Sequence, residues 1–156
     1  MIRFQCDYGE GAHPSILKRL EETNMVQTAG YGEDPYCEAA REKIRELCKD
    51  PEADVQFLVG GTQTNFTVIS SILRPHQGVL AAHTGHINVH ETGAIAACGR
   101  TVLPTDDADG FLSPEAAERV WRFQTSTGRH MTRPALIYIS NTTEFGGVWT
   151  RDRLDA

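Results

Sequence analysis

Apolar residues recur at helical spacing over the first third of the chain and in short continuous runs after it. In "SILKRLEETN", Ile16, Leu17 and Leu20 fall on one face, and Pro14 stands where a helix can begin. Asp34 before Pro35 pairs an N-cap with a proline at the first helical position. "YCEAAREKIRELCKD" then predicts a strong helix. Ala40, Ile44, Leu47 and Cys48 make its apolar face, and Glu38 and Glu42 set against Lys43, Arg45 and Lys49 its solvated one.

The later runs have another character. "VQFLVGG" is nearly continuous and ends in a glycine pair, the pattern of a buried parallel strand. "TQTNFTVISSIL" reads as a helix stopped by Arg74-Pro75, and "GVLAA" as a second buried strand. "HINVHETGAIAACG" reads as a helix closing at Gly99, and "RTVLPT" as a third strand. "DGFLSPEAAERVWRFQTS" opens a helix with Ser113 as N-cap and Pro114 behind it. "PALIYISN" is a fourth strand, and "TTEFGGVWTRDRLDA" a glycine-containing loop running into the start of a helix.

Strands alternating with helices predict an α/β fold with a doubly wound, mostly parallel sheet. Such sheets bind ligands beyond the carboxyl ends of their strands. "GGTQTN", "HTGH" and "SNTTEFGG" are each predicted there, which makes that end the candidate site.

Composition narrows the functional classes. The 156 residues suffice for one domain with a core, and 40% apolar with 23% charged residues fits a soluble globular protein. A net charge of −6 without a basic run argues against a nucleic-acid surface. No apolar stretch approaches the ~20 residues of a membrane span, and the N-terminus lacks the layout of a signal peptide. Cys6, Cys37, Cys48 and Cys98 are scattered, so reduced thiols in the cytosol are expected.

The candidate chemistry sits in two turns. Gly60 and Gly61 let the backbone approach a ligand at a helix start, and Thr62 adds a hydroxyl; a phosphate fits. Many strand–helix turns contain glycine without binding anything, and the stretch matches neither G-x-G-x-x-G nor the P-loop. In "HTGHINVHETGA", His83, His86 and His90 have the spacing of one helix face, which suggests zinc. Gly85 breaks that register and H-E-x-x-H is absent, so no metal is expected. His86 instead faces the crevice beside the glycines, where an imidazole stacks on a flat ligand or relays a proton. A surface or capping histidine is the plainer reading.

"CDYGEGAHPSILKRLEETN", "GYGEDPYCEAAREKI", "VQFLVGGTQTN", "GVLAAHTGHINVHETGA" and "YISNTTEFGG" together resemble the N-terminal half of the low-specificity threonine aldolases, in the β-eliminating-lyase group of pyridoxal-phosphate enzymes. The resemblance implies the large domain of the aspartate-aminotransferase fold, three αβα layers, present here in part. It implies pyridoxal 5'-phosphate as cofactor, an amino-acid substrate, a cytoplasmic homo-oligomer (dimer or tetramer), and no nucleic-acid or membrane partner. Gly60, Gly61 and Thr62 then hold the cofactor phosphate, His86 stacks on its ring, and Glu91 lies near that ring. His130 in "GRHMTRP" resembles a second histidine near the substrate hydroxyl, and Tyr31 an aromatic residue reaching a neighbouring subunit. Cys6-Asp7 falls where the family usually has Ser-Asp near the substrate carboxylate, and a thiol is the weaker donor.

Covalent pyridoxal-phosphate chemistry also needs a lysine and a carboxylate on the ring nitrogen. The chain's lysines are Lys18, Lys43 and Lys49, all on predicted helices and none at a strand end. Residues 1–156 are therefore expected to be the N-terminal part of the domain, truncated before the Schiff-base lysine. The parent reaction implied is cleavage of L-threonine or a related β-hydroxy-α-amino acid to glycine and an aldehyde. The alternatives are another β-eliminating lyase of the same fold, or a non-catalytic remnant.

Overall fold

A computed structural model describes residues 6, 8–106, 109–126 and 128–155. The chain divides into a unit ending at Phe57 and a second from Leu58 onward.

The first unit holds α1 (Pro14–Thr23) and α2 (Pro35–Cys48). Asp34 caps α2 as its sequence predicts: Oδ1 accepts from the backbone N–H of Tyr36 and of Cys37, both at 2.9 Å. Glu38, in the first turn, accepts from Arg41 and Arg45 at 3.1 Å each. Both arginines also bind the segment that follows the helix. Arg41 Nε donates to the Val55 carbonyl at 3.2 Å and Arg45 Nε to the Ala53 carbonyl at 3.1 Å.

Those bonds explain the first departure from expectation. "VQFLVGG" forms no strand, and Val59 is 96% exposed. A strand needs a neighbour to exchange backbone hydrogen bonds. Here side chains take part of the segment's backbone instead: Arg41 binds the Val55 carbonyl, and Gln63 Oε1 accepts from the Val59 N–H at 2.7 Å.

The second unit is built on a three-stranded parallel sheet in the order β2-β1-β3. It contains α3 (Gly61–Ile72), β1 (Gln77–Ala82), α4 (His86–Val89), α5 (Ala94–Ala97), β2 (Thr101–Thr105), α6 (Pro114–Ser126), β3 (Arg133–Ile137) and α7 (Arg151–Leu154). The central strand β1 is buried from Gly78 to Ala82, so alternate residues feed opposite faces. Val79 and Ala81 pack with Ile69, Leu73, Ile87 and Ile95. Leu80 packs on the other side with Leu103, Leu112 and Ala117. Helices α3 and α5 thus cover one face and α6 the other, giving three αβα layers around one sheet. The chain steps from β1 to one neighbour and then back across to the other, which makes the carboxyl end of β1 the topological switch point.

Two elements are shorter than their patterns suggest. "HINVHETGAIAACG" is not one helix but two short ones, because Thr92 and Gly93 adopt left-handed φ of 52° and 75° between them. That conformation ends a helix, and glycine takes it without strain. The strand in "PALIYISN" ends at Ile137, although the Tyr138 N–H still donates to Leu80 at 2.8 Å. Its register slips between Gly78 and Val79, opposite Pro134, which has no N–H for the ladder.

Gly78 is set by close approach. A Cβ there would lie 2.9 Å from the Thr101 carbonyl oxygen, from Leu103 Cδ1 and from Thr132 Cγ2. The neighbouring strand backbone cannot withdraw cheaply, so Gly78→Ala is expected to destabilise the fold by about 1–3 kcal/mol in urea denaturation. An unchanged midpoint would contradict the packing described.

Asp34 supplies a pH test in the first unit. The Cys37 thiol, then the backbone N–H groups of Cys37 and Tyr36, hold its carboxyl below the ordinary value, and the same contact pushes the Cys37 thiol up. A depressed carboxyl stabilises the fold above its unfolded pKa, and that contribution is lost as pH falls through the folded one. Amide exchange at Tyr36 and Cys37, corrected for intrinsic rates, should therefore accelerate on acidification below the ordinary aspartate range. Asp34→Asn should flatten that response.

Candidate functional site

The site assembles at one end of the sheet because α3 and β1 run in opposite directions. The short link Leu73–His76 joins the foot of α3 to the start of β1, so the beginning of α3 lies at the carboxyl end of β1. There Gly60 is the helix N-cap, with no side-chain capping bond. Added Cβ atoms at Gly60 and Gly61 would meet nothing within 4 Å. These glycines are thus not required by internal packing; they leave an open cradle at the positive end of a twelve-residue helix. Thr64 closes the first turn, its N–H and Oγ1 both reaching the Gly60 carbonyl at 3.0 Å.

Beyond β1 the chain turns through His83–Gly85 into α4. The His83 N–H donates to the Thr105 carbonyl at 2.9 Å, and the His83 carbonyl accepts from Asn88 Nδ2 at 2.7 Å. His83 is therefore held as part of the turn. His86 begins α4 with its side chain 42% exposed, and its Nδ1 lies 2.8 Å from Glu91 Oε1. The break at Thr92–Gly93 places Glu91 inward, with a fully buried side chain. The same Oε1 accepts from Asn65 Nδ2 at 2.6 Å, while Oε2 is buried without a partner among the described residues.

This chain of contacts joins the cradle to the imidazole. Asn65 stands four residues after Gly61, one turn along α3, and reaches through Glu91 to His86. A carboxylate only accepts, so with Glu91 ionised His86 donates from Nδ1, and a neutral ring then keeps its lone pair on Nε2. Behind it lies His90, with ring centroids 5.4 Å apart and planes tilted by 52°. His90 Nε2 is 3.6 Å from Glu144 Oε2, on the loop that leaves β3. That loop is fixed by buried Thr143, whose N–H donates to the Gly147 carbonyl at 2.8 Å.

Gly60, Gly61, Thr62, His86 and Glu91 thus share one end of the second unit. His130 does not join them there. It is exposed on the turn three residues before β3, at the amino ends of the strands. Cys6 and Tyr31 belong to the first unit; both are exposed, Tyr31 completely and with a left-handed φ of 63°. Asp7 lies outside the described residues. Asn65 and Glu144 were not anticipated from sequence. In sequence Asn65 is one polar residue within a helical pattern and Glu144 one within a loop, and contacts made so far along the chain leave no local pattern.

A parallel sheet layered between helices, with a glycine-led helix start and a turn beyond the central strand, defines the α/β class. Residues 10–156 match the β-eliminating lyase family, and the chain belongs to that family. Low specificity L-threonine aldolase of Pseudomonas sp. (strain NCIMB 10558) is 26% identical over 99% of the chain, and the Pseudomonas aeruginosa protein of the same name is 24% identical over 99%. The chain spans 44% of the length of each. A solved structure of Leishmania major threonine aldolase superposes with a TM-score of 0.91 at 45% identity, over 95% of this chain and 43% of that one. The family is generally pyridoxal-phosphate-dependent. Among the described residues, no helix is long and apolar enough to cross a membrane.

Glu91 gives the site a stability signature. Glu91→Leu strands the Asn65 amide donor in a partly buried place, at an expected cost of about 1–3 kcal/mol. Adding Asn65→Leu should recover part of that loss, since no donor then remains unpaired. Strictly additive losses in a denaturant double-mutant cycle would show the two side chains to be uncoupled.

Proposed function

We propose that this chain supplies the phosphate cradle and ring platform of a pyridoxal-phosphate-dependent lyase that cleaves β-hydroxy-α-amino acids to glycine and an aldehyde. The observation that carries the proposal is the buried Glu91 carboxylate joining α3, which forms the cradle, to the half-exposed His86 ring. The open glycines and the orphaned Glu91 Oε2 fit a site shaped for a bound polar group.

The free N–H groups of Gly61 and Thr62 would hold the phosphate, with the Thr62 hydroxyl beside them. His86 would present its ring face to the pyridine. When bound, the cofactor supplies an electron sink for the pair released at the α-carbon. His86 Nε2, left as an acceptor by the Nδ1–Glu91 bond, would take the β-hydroxyl proton as the Cα–Cβ bond breaks. Glu91 stabilises the imidazolium so formed by accepting from Nδ1–H.

Lys18, Lys43 and Lys49 all lie in the first unit, so the second contributes no amine for covalent attachment. The complete reaction is proposed for a protein of the relatives' length. His130 lies at the other end of the strands in this chain and takes no part in this proposal. Tyr31, fully exposed on its strained turn, would meet a second copy in a homo-oligomer. Cys6 and Asp7 remain the proposed contacts to the substrate carboxylate.

Titrating the chain with inorganic phosphate and with pyridoxal 5'-phosphate should shift the backbone amides of Gly61 and Thr62 first. A bulky side chain in the cradle, as in Gly61→Val, should weaken binding by a factor on the order of 10 or more, one hydrogen-bonded charge contact being worth that much. Fixed amides at Gly61 and Thr62, with distant residues moving instead, would overturn the assignment.

A further inference from the structure

We propose that Asn65 is a positioning residue: it locks the Glu91 carboxylate so that His86 carries its proton on Nδ1 and offers Nε2 as the acceptor. The inference rests on the ring-platform reading above and extends it to a residue on the cradle helix.

The geometry leaves Glu91 few other constraints. Its Oε1 accepts two hydrogen bonds, from Asn65 at 2.6 Å and from His86 at 2.8 Å, and Oε2 has none among the described residues. Two donors occupy both lone pairs of one oxygen and fix the carboxylate plane. Reversing the Asn65 amide would set its Oδ1 against Oε1, so the nitrogen is the contacting atom. Without that donor, Oε1 would hold only the His86 bond, and the carboxylate could turn to present either oxygen. His86 is half-exposed, so water competes for both ring nitrogens once Glu91 is released. The proton then redistributes between Nδ1 and Nε2, and the outward nitrogen ceases to be a dependable acceptor.

Asn65 also sits one turn from Gly61 on a single helix. An anion drawn onto the cradle orders the helix start, and Asn65 carries that order to the imidazole. Cradle and proton acceptor are thereby set by one rigid element, as a catalytic geometry requires.

The test reads the tautomer rather than turnover. Long-range nitrogen–proton NMR on the cofactor-free, histidine-labelled 156-residue chain, at a pH where the ring is neutral, distinguishes protonated from bare ring nitrogens. In the native chain, His86 should show Nδ1 protonated and Nε2 bare. Asn65→Leu keeps the side-chain size, Asn65→Ala shortens it, and both remove the donor. Each should raise the Nε2-protonated form several-fold, while Val79 and Ile95 methyl signals confirm an intact core. A merely structural Asn65 would disturb those methyls and leave the tautomer alone; that result overturns the proposal. A native His86 already protonated on Nε2 overturns it before any variant is made, even if both variants fail to fold. The phosphate titration stands apart: fixed Gly61 and Thr62 amides would sink the cofactor reading, whatever tautomer His86 shows.

Discussion

A carboxylate taken out of water must be compensated, and in this chain that requirement organises the site. Glu91 has no exposed side-chain surface, yet only one of its oxygens is bonded among the described residues. Burying such a group costs several kcal/mol unless donors meet it, so Asn65 and His86 must be held where they are. Asn65 is held by α3, which in turn is fixed by Ile69 and Leu73 against the central strand. His86 is held by the turn after that strand, pinned through His83 to Thr105. The core and the site therefore share their supports. Residues of the buried core thus also fix the donors around the carboxylate.

The reversal of strand order at β1, with β2 on one side and β3 on the other, explains why the site lies where it does. With β1 central, the crossovers leave in opposite senses and cannot cover its carboxyl end. Three turns converge on that gap: the start of α3, the His83–Gly85 turn, and the loop carrying Thr143 and Glu144. None of them is regular structure, and each is fixed by side-chain bonds to backbone. Gly147 donates to Thr143 Oγ1 at 3.0 Å, and Trp149 Nε1 donates to the Ser140 carbonyl at 3.0 Å. Phe111 then stacks edge-on against Trp149 with centroids 5.1 Å apart, anchoring the loop from the side of α6. Irregular backbone can serve as a binding surface because these contacts keep it from behaving as a free loop.

What could be read from sequence followed the range of the interactions involved. The caps at Asp34 and Ser113 were legible because a cap is settled within three residues. The buried run of β1 is legible because a central parallel strand is apolar on both faces. "VQFLVGG" carries the same apolar signal, yet it forms no strand: hydrophobicity records a tendency to be buried, not the presence of a hydrogen-bonding neighbour. The break at Thr92–Gly93 was misjudged for a related reason. Helical periodicity runs through "HINVHETGAIAACG", but a left-handed pair interrupts it to turn Glu91 inward. The glycine cradle and His86 were legible from motif and position. Asn65 and Glu144 were not, since each becomes significant through one partner brought close by the fold.

The two histidines of α4 show how far burial decides chemistry among residues of the same type. His86 and His90 sit four apart, and each faces a glutamate. Glu91 is fully buried and bonded at 2.8 Å, whereas Glu144 remains partly exposed and stands 3.6 Å from its histidine. The nearer pair lies in a lower dielectric, where orientation is strongly enforced; the farther is loosened by water and by its longer separation. A spacing that suggested one cluster of equivalent metal ligands therefore yields two different residues. His86 has one ring nitrogen committed to a buried carboxylate, so its ring is oriented by the fold. His90 retains the freedom of a surface side chain, and its tilted ring contributes contact area behind His86. The distinction comes from the partner carboxylates, one enclosed by the fold and one left at its edge.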